Sequence, residues 1–575
     1  MPRRLLIPLA LLLASTICLA GPPPKKPDPP ALHPLRIALN WTKDPCDPQI
    51  HVRPLLAPVC FDPLYIWESG ENGLAVKPCL AEGWPSYSDD GLTCTIRLRA
   101  NAGFEDASPE QRKRDYYKEH PEERIIPLTA KDVLFTLKRA AKYRNYNSYT
   151  VIQGLIAGLE KMPAAKWPDY RLDWDEQDDA FEPDGIRIVD ERTLTFTLTR
   201  PTRLLPVWLA NPCFCVVSPT FMDRDATENT HLHLDSPSHT SGPFSYGHVW
   251  NADWAFEPKA PSPALAPRHI IDDDTSYPGA IRAMDDGKLD YSFGLSIPGS
   301  VKPEERDPRI RPVPLELMYY LAFNMKDKTW GGLDTDGRAL RKAVSLAFER
   351  RKFAQNWTST SDGYAGECDS ALPRRRGAAG LGGAGQWSQG SAQDARDALK
   401  DSAWEKMPEE GLKLRVATGA KLSERERATI DSSLKAIDIR IDWIILSEDE
   451  FRKSVAEGNA DAWLVGWMND SPHPAEFLRL LSSYHAMDDT GTALFPGGYS
   501  SEEFNDAFRR LEELDAAHTN LANADQAASA AIAILEKDRP YVPLVELYTH
   551  EAVAPGVRVP EIPLSCGTLI RQLNR

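Results

Sequence analysis

The stretch from Leu412 to Leu481 constrains the fold more than any other, because its apolar period switches between two and 3.6 at short, regular intervals. "LKLRVAT" (412–418) reads as a buried strand. Ser423 followed by Glu426 forms a capping box for a helix whose Ile430, Leu434 and Ile437 recur at helical spacing. "RIDWIIL" (440–446) reads as the next strand. Ser447 with Glu450 makes a second capping box, and Leu446 can staple onto Phe451. "DAWLVGWM" (461–468) completes an order of strand, helix, strand, helix, strand, which right-handed crossovers turn into parallel strands.

Ligands of open parallel sheets sit outside the carboxyl ends of the strands. Two loops qualify. The first carries Lys421 just before a helix N-terminus, where its charge and the helix dipole could hold a ligand carboxylate. The second carries Asp470, behind an apolar run and a tryptophan, where a carboxylate could hold a ligand amine. The bland alternatives are a solvated lysine and a helix-capping aspartate ahead of Pro474.

The front of the chain reads as a secretory leader: Arg3 and Arg4, the apolar run Leu5–Leu13, then Cys18-Leu19-Ala20 before a cut at Gly21. Lipidation of Cys18 is a second reading, which Ile17 before it fits poorly. Residues 21–34 are proline-rich and form a tether. No later stretch approaches the roughly 20 apolar residues of a membrane helix, so the mature chain is expected to be exported and soluble. The full sequence's net charge of −16 argues against a nucleic-acid groove. Of nine cysteines, eight remain after the leader, and an even number in an oxidising compartment favours disulfides of unreadable connectivity. A zinc site at Cys213-Phe-Cys215 lacks the matching thiolate or histidine spacing.

Between these ends, "CLAEGW" (79–84) and "LTCTIRLR" (92–99, opening at Leu92) read as two strands around Ser88–Gly91. Thr129 caps a helix with Val133, Leu134 and Leu137 on its apolar face. "GIRIVDERTLTFTLTRP" (185–201) supplies two strands joined at Asp190-Glu191. His231 and His233 would share one face of an extended segment, with His239 nearby, but no carboxylate or thiolate completes a metal-ligand set. The chain has neither a Gly-x-Ser-x-Gly elbow nor a His-Glu-x-x-His helix, so no enzyme is expected.

Seven segments, in order, resemble one family. They are "PCLAEGWPSYSDDGLTCTIRLR" (78–99), "LTAKDVLFTLKRA" (128–140), "TSGPF" (240–244), "AMDDGKLD" (283–290), "YYLAFNM" with "RALRKAVSLAFERRKF" (319–353), "GWMNDSPHPAEFL" (466–478), and "GYSSEEFNDAF" through "DRPYVPL" (498–544). They are similar to the extracellular solute-binding proteins, family 5, of bacterial ABC importers of the oligopeptide, dipeptide and nickel type. The resemblance implies an α/β, two-lobed periplasmic-binding-protein-like fold (type II, cluster C) with a subdomain inserted in lobe I. On this chain lobe I takes 35–62, 205–318 and 546–575, the insertion 63–204, and lobe II 319–545. It implies a monomer in the periplasm, without cofactor, that closes on a peptide or similar amine-bearing ligand and delivers it to inner-membrane permease subunits. The alternative within the family is uptake of a metal or metallophore. By the same resemblance Asp470 pairs with a peptide's free amino terminus, Trp467 lines the cavity, and Tyr320 on the crossover strand joins them. Glu546 stands on the returning strand where relatives have aromatics, and would favour a cationic ligand. Lys421 and Arg425 stand near the place of a carboxylate-binding arginine, and His473 replaces the usual aspartate before proline.

Overall fold

The computed structural model describes residues 33–574 apart from 40–45, 50–54, 72, 107–118, 145–151, 166–173, 175, 225–231, 234–238, 249–253, 260–265, 272–275, 298–300, 302, 358–363, 378–386, 388–389 and 484–494. The leader, most of the tether and His231 lie outside the described residues, as does the side chain of His233. Eleven strands make one sheet: β1 (Leu35–Leu39), β2 (Phe244–His248), β3 (Trp254–Pro258), β4 (Arg268–Ile270), β5 (Tyr291–Phe293), β6 (Ile310–Phe323), β7 (Tyr364–Glu367), β8 (Leu412–Thr418), β9 (Ile439–Ile445), β10 (Ala462–Met468) and β11 (Tyr541–Val553). Their order is β2-β3-β4-β1-β5-β11-β6-β10-β8-β9, with β7 also pairing β11.

The strand–helix unit read from the sequence is present almost residue for residue. β8 lies between β10 and β9 and is parallel to both. Ser423 and Ser447 each close a capping box, with Glu426 and Glu450, at the starts of helices Glu424–Lys435 and Glu448–Glu457. Leu446 and Phe451 pack together against Ala417, Ala460 and Trp463. Upstream, helix α1 (Ala130–Tyr143) starts at Thr129 in a box with Asp132, and Ile186–Asp190 and Thr193–Thr197 form the expected hairpin.

β6 and β11 run the length of both sheet halves and are the two strands that cross between them. Ile310–Pro314 pair with Tyr548–Ala552, Met318–Ala322 pair with Tyr541–Glu546, and the ladder is interrupted in between. Glu316, in that interruption, has φ 57°, a left-handed conformation that a side chain ordinarily avoids. It is buried. Its carboxylate accepts from the Ser565 amide at 3.0 Å and hydroxyl at 2.5 Å, so the bend is fastened to the C-terminal segment.

Two expectations are corrected. Residues 79–84 are no strand: the amides of Cys79, Leu80 and Ala81 donate to Leu64 and Pro63 carbonyls, which wraps the segment around that corner. Thr93–Arg97 pairs instead with the short strand Ser86–Tyr87 and with Thr193–Thr197. The eight cysteines form no disulfide; all are buried, and as small hydrophobes they fill apolar positions. Burial pushes the thiols of Cys60, Cys213, Cys215, Cys368 and Cys566 well up. Among the described residues, no helix is long and apolar enough to cross a membrane.

Candidate functional site

The carboxyl end of β10 is where a strand edge is left open. β6 pairs with β10 over its whole length, from Phe323–Ala462 to Leu317–Met468. β8 pairs only with Ala462, Trp463 and Leu464. Val465, Gly466 and Trp467 are therefore paired on one side, and among the described residues no strand occupies the other. Gly466 is exposed there. An open edge of this kind accepts an extended chain by main-chain hydrogen bonding.

Asp470 follows this edge and is 7% exposed. Its carbonyl accepts from the Asn211 side chain at 2.5 Å, and the Asn211 oxygen in turn accepts from the Cys213 amide at 2.9 Å. The Asp470 charge is, after burial, the main influence raising the Cys213 thiol. Asp470 is thus tied through its carbonyl to a residue 259 positions away, and its charge is close enough to Cys213 to act on the thiol.

The loop that carries it is fixed at several points. The Asn469 amide donates to the Glu316 carbonyl at 3.0 Å, tying the loop to the bend of β6. Arg375 donates to the Pro472 carbonyl and pairs with Asp525 at 2.6 Å. His473 packs edge-on to Trp208 at 6.3 Å, and its Nδ1 accepts from the Ala475 amide at 3.2 Å. Burial, with Arg375 adding to it, lowers the His473 imidazole to about 3. The histidine that stands where an acid was expected is thus a neutral acceptor.

Around the same corner several buried polar atoms have no partner among the described residues: Trp467 Nε1, Asn469 Oδ1 and Glu476 Oε2. Buried polar groups are ordinarily paired, and these three lie within six positions of Asp470 in the chain. The Arg479 guanidinium lies 5.7 Å from the Trp467 ring centre and pairs with Glu476 at 3.4 Å. Burial raises the Glu476 carboxyl, and Arg479 opposes the rise.

The remaining candidates fall elsewhere. Tyr320 packs among Phe477, Phe495 and Tyr541, with centroids 5.5–5.7 Å away, and is 1% exposed. Strand alternation sends it into this aromatic core and sends its neighbour Tyr319 to the opposite face. There Tyr319 lies against Gly466, where an added Cβ would meet its ring at 2.9 Å. Lys421 and Arg425 are exposed in and just after the loop that follows β8. Glu546 is buried on β11. One of its oxygens accepts from Arg374 Nε at 3.1 Å and from the Tyr548 hydroxyl at 3.0 Å; the other has no oxygen or nitrogen partner among the described residues, and the Cys368 thiol lies beside the carboxylate. Burial pushes its carboxyl up to about 7, against the opposing pull of Arg374.

Asn211, Glu476 and Arg374–Arg376 were not singled out in the sequence. The run of three arginines was the available signal, for each takes a different acid: Glu546, Asp525 and Glu551, at 3.1, 2.6 and 2.6 Å. Of the histidines, His239 stacks on Phe221 at 4.0 Å. Among the described residues, no group of three or more acids, thiols and imidazoles is arranged to hold a metal.

Residues 75–489 match the model of the bacterial extracellular solute-binding proteins, family 5. The chain is 24% identical over 486 residues to the peptide transport periplasmic protein SapA of Salmonella typhimurium, covering 81% of this chain and 78% of that one. It is 20% identical over 461 residues to a dipeptide-binding protein of Lactococcus lactis, covering 73% and 72%. Among solved structures, the unliganded open form of the periplasmic murein tripeptide-binding protein MppA superposes with a TM-score of 0.64 at 18% identity, over 95% of this chain and 98% of that one. DppA of Helicobacter pylori, an ABC transporter-associated periplasmic binding protein in complex with the peptide STSA, gives 0.57 at 19%, over 94% and 97%. The two-lobed fold, the open edge and the enclosed aspartate are thus found in a chain that belongs to the bacterial extracellular solute-binding proteins of family 5.

Proposed function

We propose that this protein is the solute-binding component of an ABC importer and that its ligand is a short peptide or a similar amine-bearing molecule. The ligand's main chain lies along the open edge of Val465–Trp467, and its amino terminus meets Asp470. The observation that carries this reading is the burial of Asp470 beside that edge and against Asn211 and Cys213. A buried carboxylate there can accept a charge-assisted hydrogen bond from a ligand's ammonium group. Relatives named for peptide transport and dipeptide binding support the ligand class.

The protein acts as a carrier rather than a catalyst. A ligand touching both lobes shifts them toward closure, and only such a ligand can do so. The closed form then docks on permease subunits at the inner membrane, the protein working as an exported periplasmic monomer. Mass spectrometry of material released by denaturing freshly purified protein tests this. Short peptides or other solutes with a basic nitrogen are expected. A bound metal ion, or a solute without a basic nitrogen, overturns the reading.

A further inference from the structure

Apart from the Asp470 corner, a second cleft lies between two distant parts of the chain. One wall is Trp84, Tyr87 and Arg203; the other is the turn Asp515–His518, between helices Glu502–Glu512 and Leu521–Asp538. Its volume is about 290 Å³, at the lower end of the roughly 300–1,000 Å³ typical of small-molecule pockets. The walls are held together at its edge. The Arg203 amide donates to the Glu512 carbonyl at 3.0 Å, and Ala75 bridges to Asn520.

The lining is two-sided chemically. Trp84 stacks on Tyr65 at 5.8 Å and is half-buried, so its indole is held as a flat apolar wall. The Arg203 guanidinium lies 4.3 Å from the Tyr87 ring centre. Arg203 is exposed and among the described residues its guanidinium has no ion pair, whereas the Tyr87 hydroxyl is buried beside the Cys94 thiol. Across the cleft, Asp515 and His518 are exposed; the Asp515 carboxylate accepts from the Ala517 amide at 2.9 Å and lies 3.0 Å from His518 Nδ1. A cation without an acid and a flat aromatic surface on one wall, with an acid on the other, suit a small zwitterion with a planar side chain.

We propose that this cleft binds a free aromatic amino acid, its carboxylate on Arg203, its ammonium on Asp515 and its ring against Trp84. An occupant touches both walls, so it favours the arrangement that holds them together. The binding itself does not depend on the peptide assignment of the Asp470 corner.

Calorimetric titration of the full mature protein with L-tryptophan, indole-3-propionate and tryptamine tests the proposal. L-tryptophan is expected to bind with a dissociation constant below about 1 mM, and each analogue, lacking one charge, at least roughly tenfold more weakly. Arg203→Ala and Asp515→Asn, one on each wall, should each weaken L-tryptophan by about tenfold or more, while Asp470→Asn changes it less than about twofold. Equal binding of the three probes overturns the proposal. So does absence of binding, or loss in Asp470→Asn with retention in Arg203→Ala.

Discussion

Glu546 should make the protein weaker as pH rises through neutrality, and replacing it should remove that weakness. Its carboxyl is pushed from 4.5 up to about 7, chiefly by burial. A folded-state value raised above the unfolded one means that the native state holds the proton more tightly. The corresponding stability is complete below about pH 4.5 and is lost as pH climbs through 7. At 1.36 kcal/mol per unit, the span from 4.5 to about 7 amounts to about 3 kcal/mol. Glu546→Gln keeps an acceptor for the Tyr548 hydroxyl and Arg374 but carries no charge to desolvate. Denaturant titrations of both proteins from pH 4 to 9 should therefore show nearly equal stabilities at the acid end. The variant should gain progressively above pH 5 and settle at an advantage of about 3 kcal/mol beyond pH 8. Parallel curves, or an advantage that grows toward acid pH, would refute the reasoning.

Three further outcomes follow from other sites. Arg139 is fully buried and pairs with Asp47 through both terminal nitrogens, at 2.6 and 2.7 Å. Arg139→Met should cost about 3–5 kcal/mol by stranding that carboxylate, and Asp47→Leu added to it should restore much of the loss in denaturant melts. Gly466→Ala would drive a methyl to 2.9 Å from the Tyr319 ring at the open edge. Peptide affinity should fall about tenfold, with Tyr319→Ala partly restoring it in titrations. His473 should stay neutral at pH 5, with its proton on Nε2, because burial lowers it to about 3 and Nδ1 accepts a hydrogen bond. An imidazolium pattern in nitrogen-15 spectra at that pH would contradict this.

What the sequence made legible was local. The capping boxes at Ser423 and Ser447 and the alternating strands around them lie within a few residues of one another, and the structure keeps them. Asp470 was legible as a loop carboxylate behind a strand, and the resemblance gave it a role. Its surroundings were not, because Asn211 is 259 positions away and only the folded chain joins them. The same distance problem hid the acids that take up Arg374, Arg375 and Arg376. Tyr319 and Tyr320 are adjacent and chemically identical, and strand phase alone decides which one enters the aromatic core. Residues 79–84 looked like a strand because Leu80 and Ala81 are apolar, yet their amides are taken by a neighbouring turn. The cysteines misled for a related reason: an even count says nothing about whether the positions are core sites.

The most direct test of the account is a thermodynamic cycle at Asp470. One short peptide, with its amino terminus free and acetylated, is titrated against the native protein and against Asp470→Asn. The account predicts that acetylation costs the native protein at least about 2 kcal/mol, roughly thirtyfold in affinity, and costs the variant almost nothing. The same penalty for acetylation in both proteins would show that Asp470 does not receive the amino terminus, and would contradict the central claim.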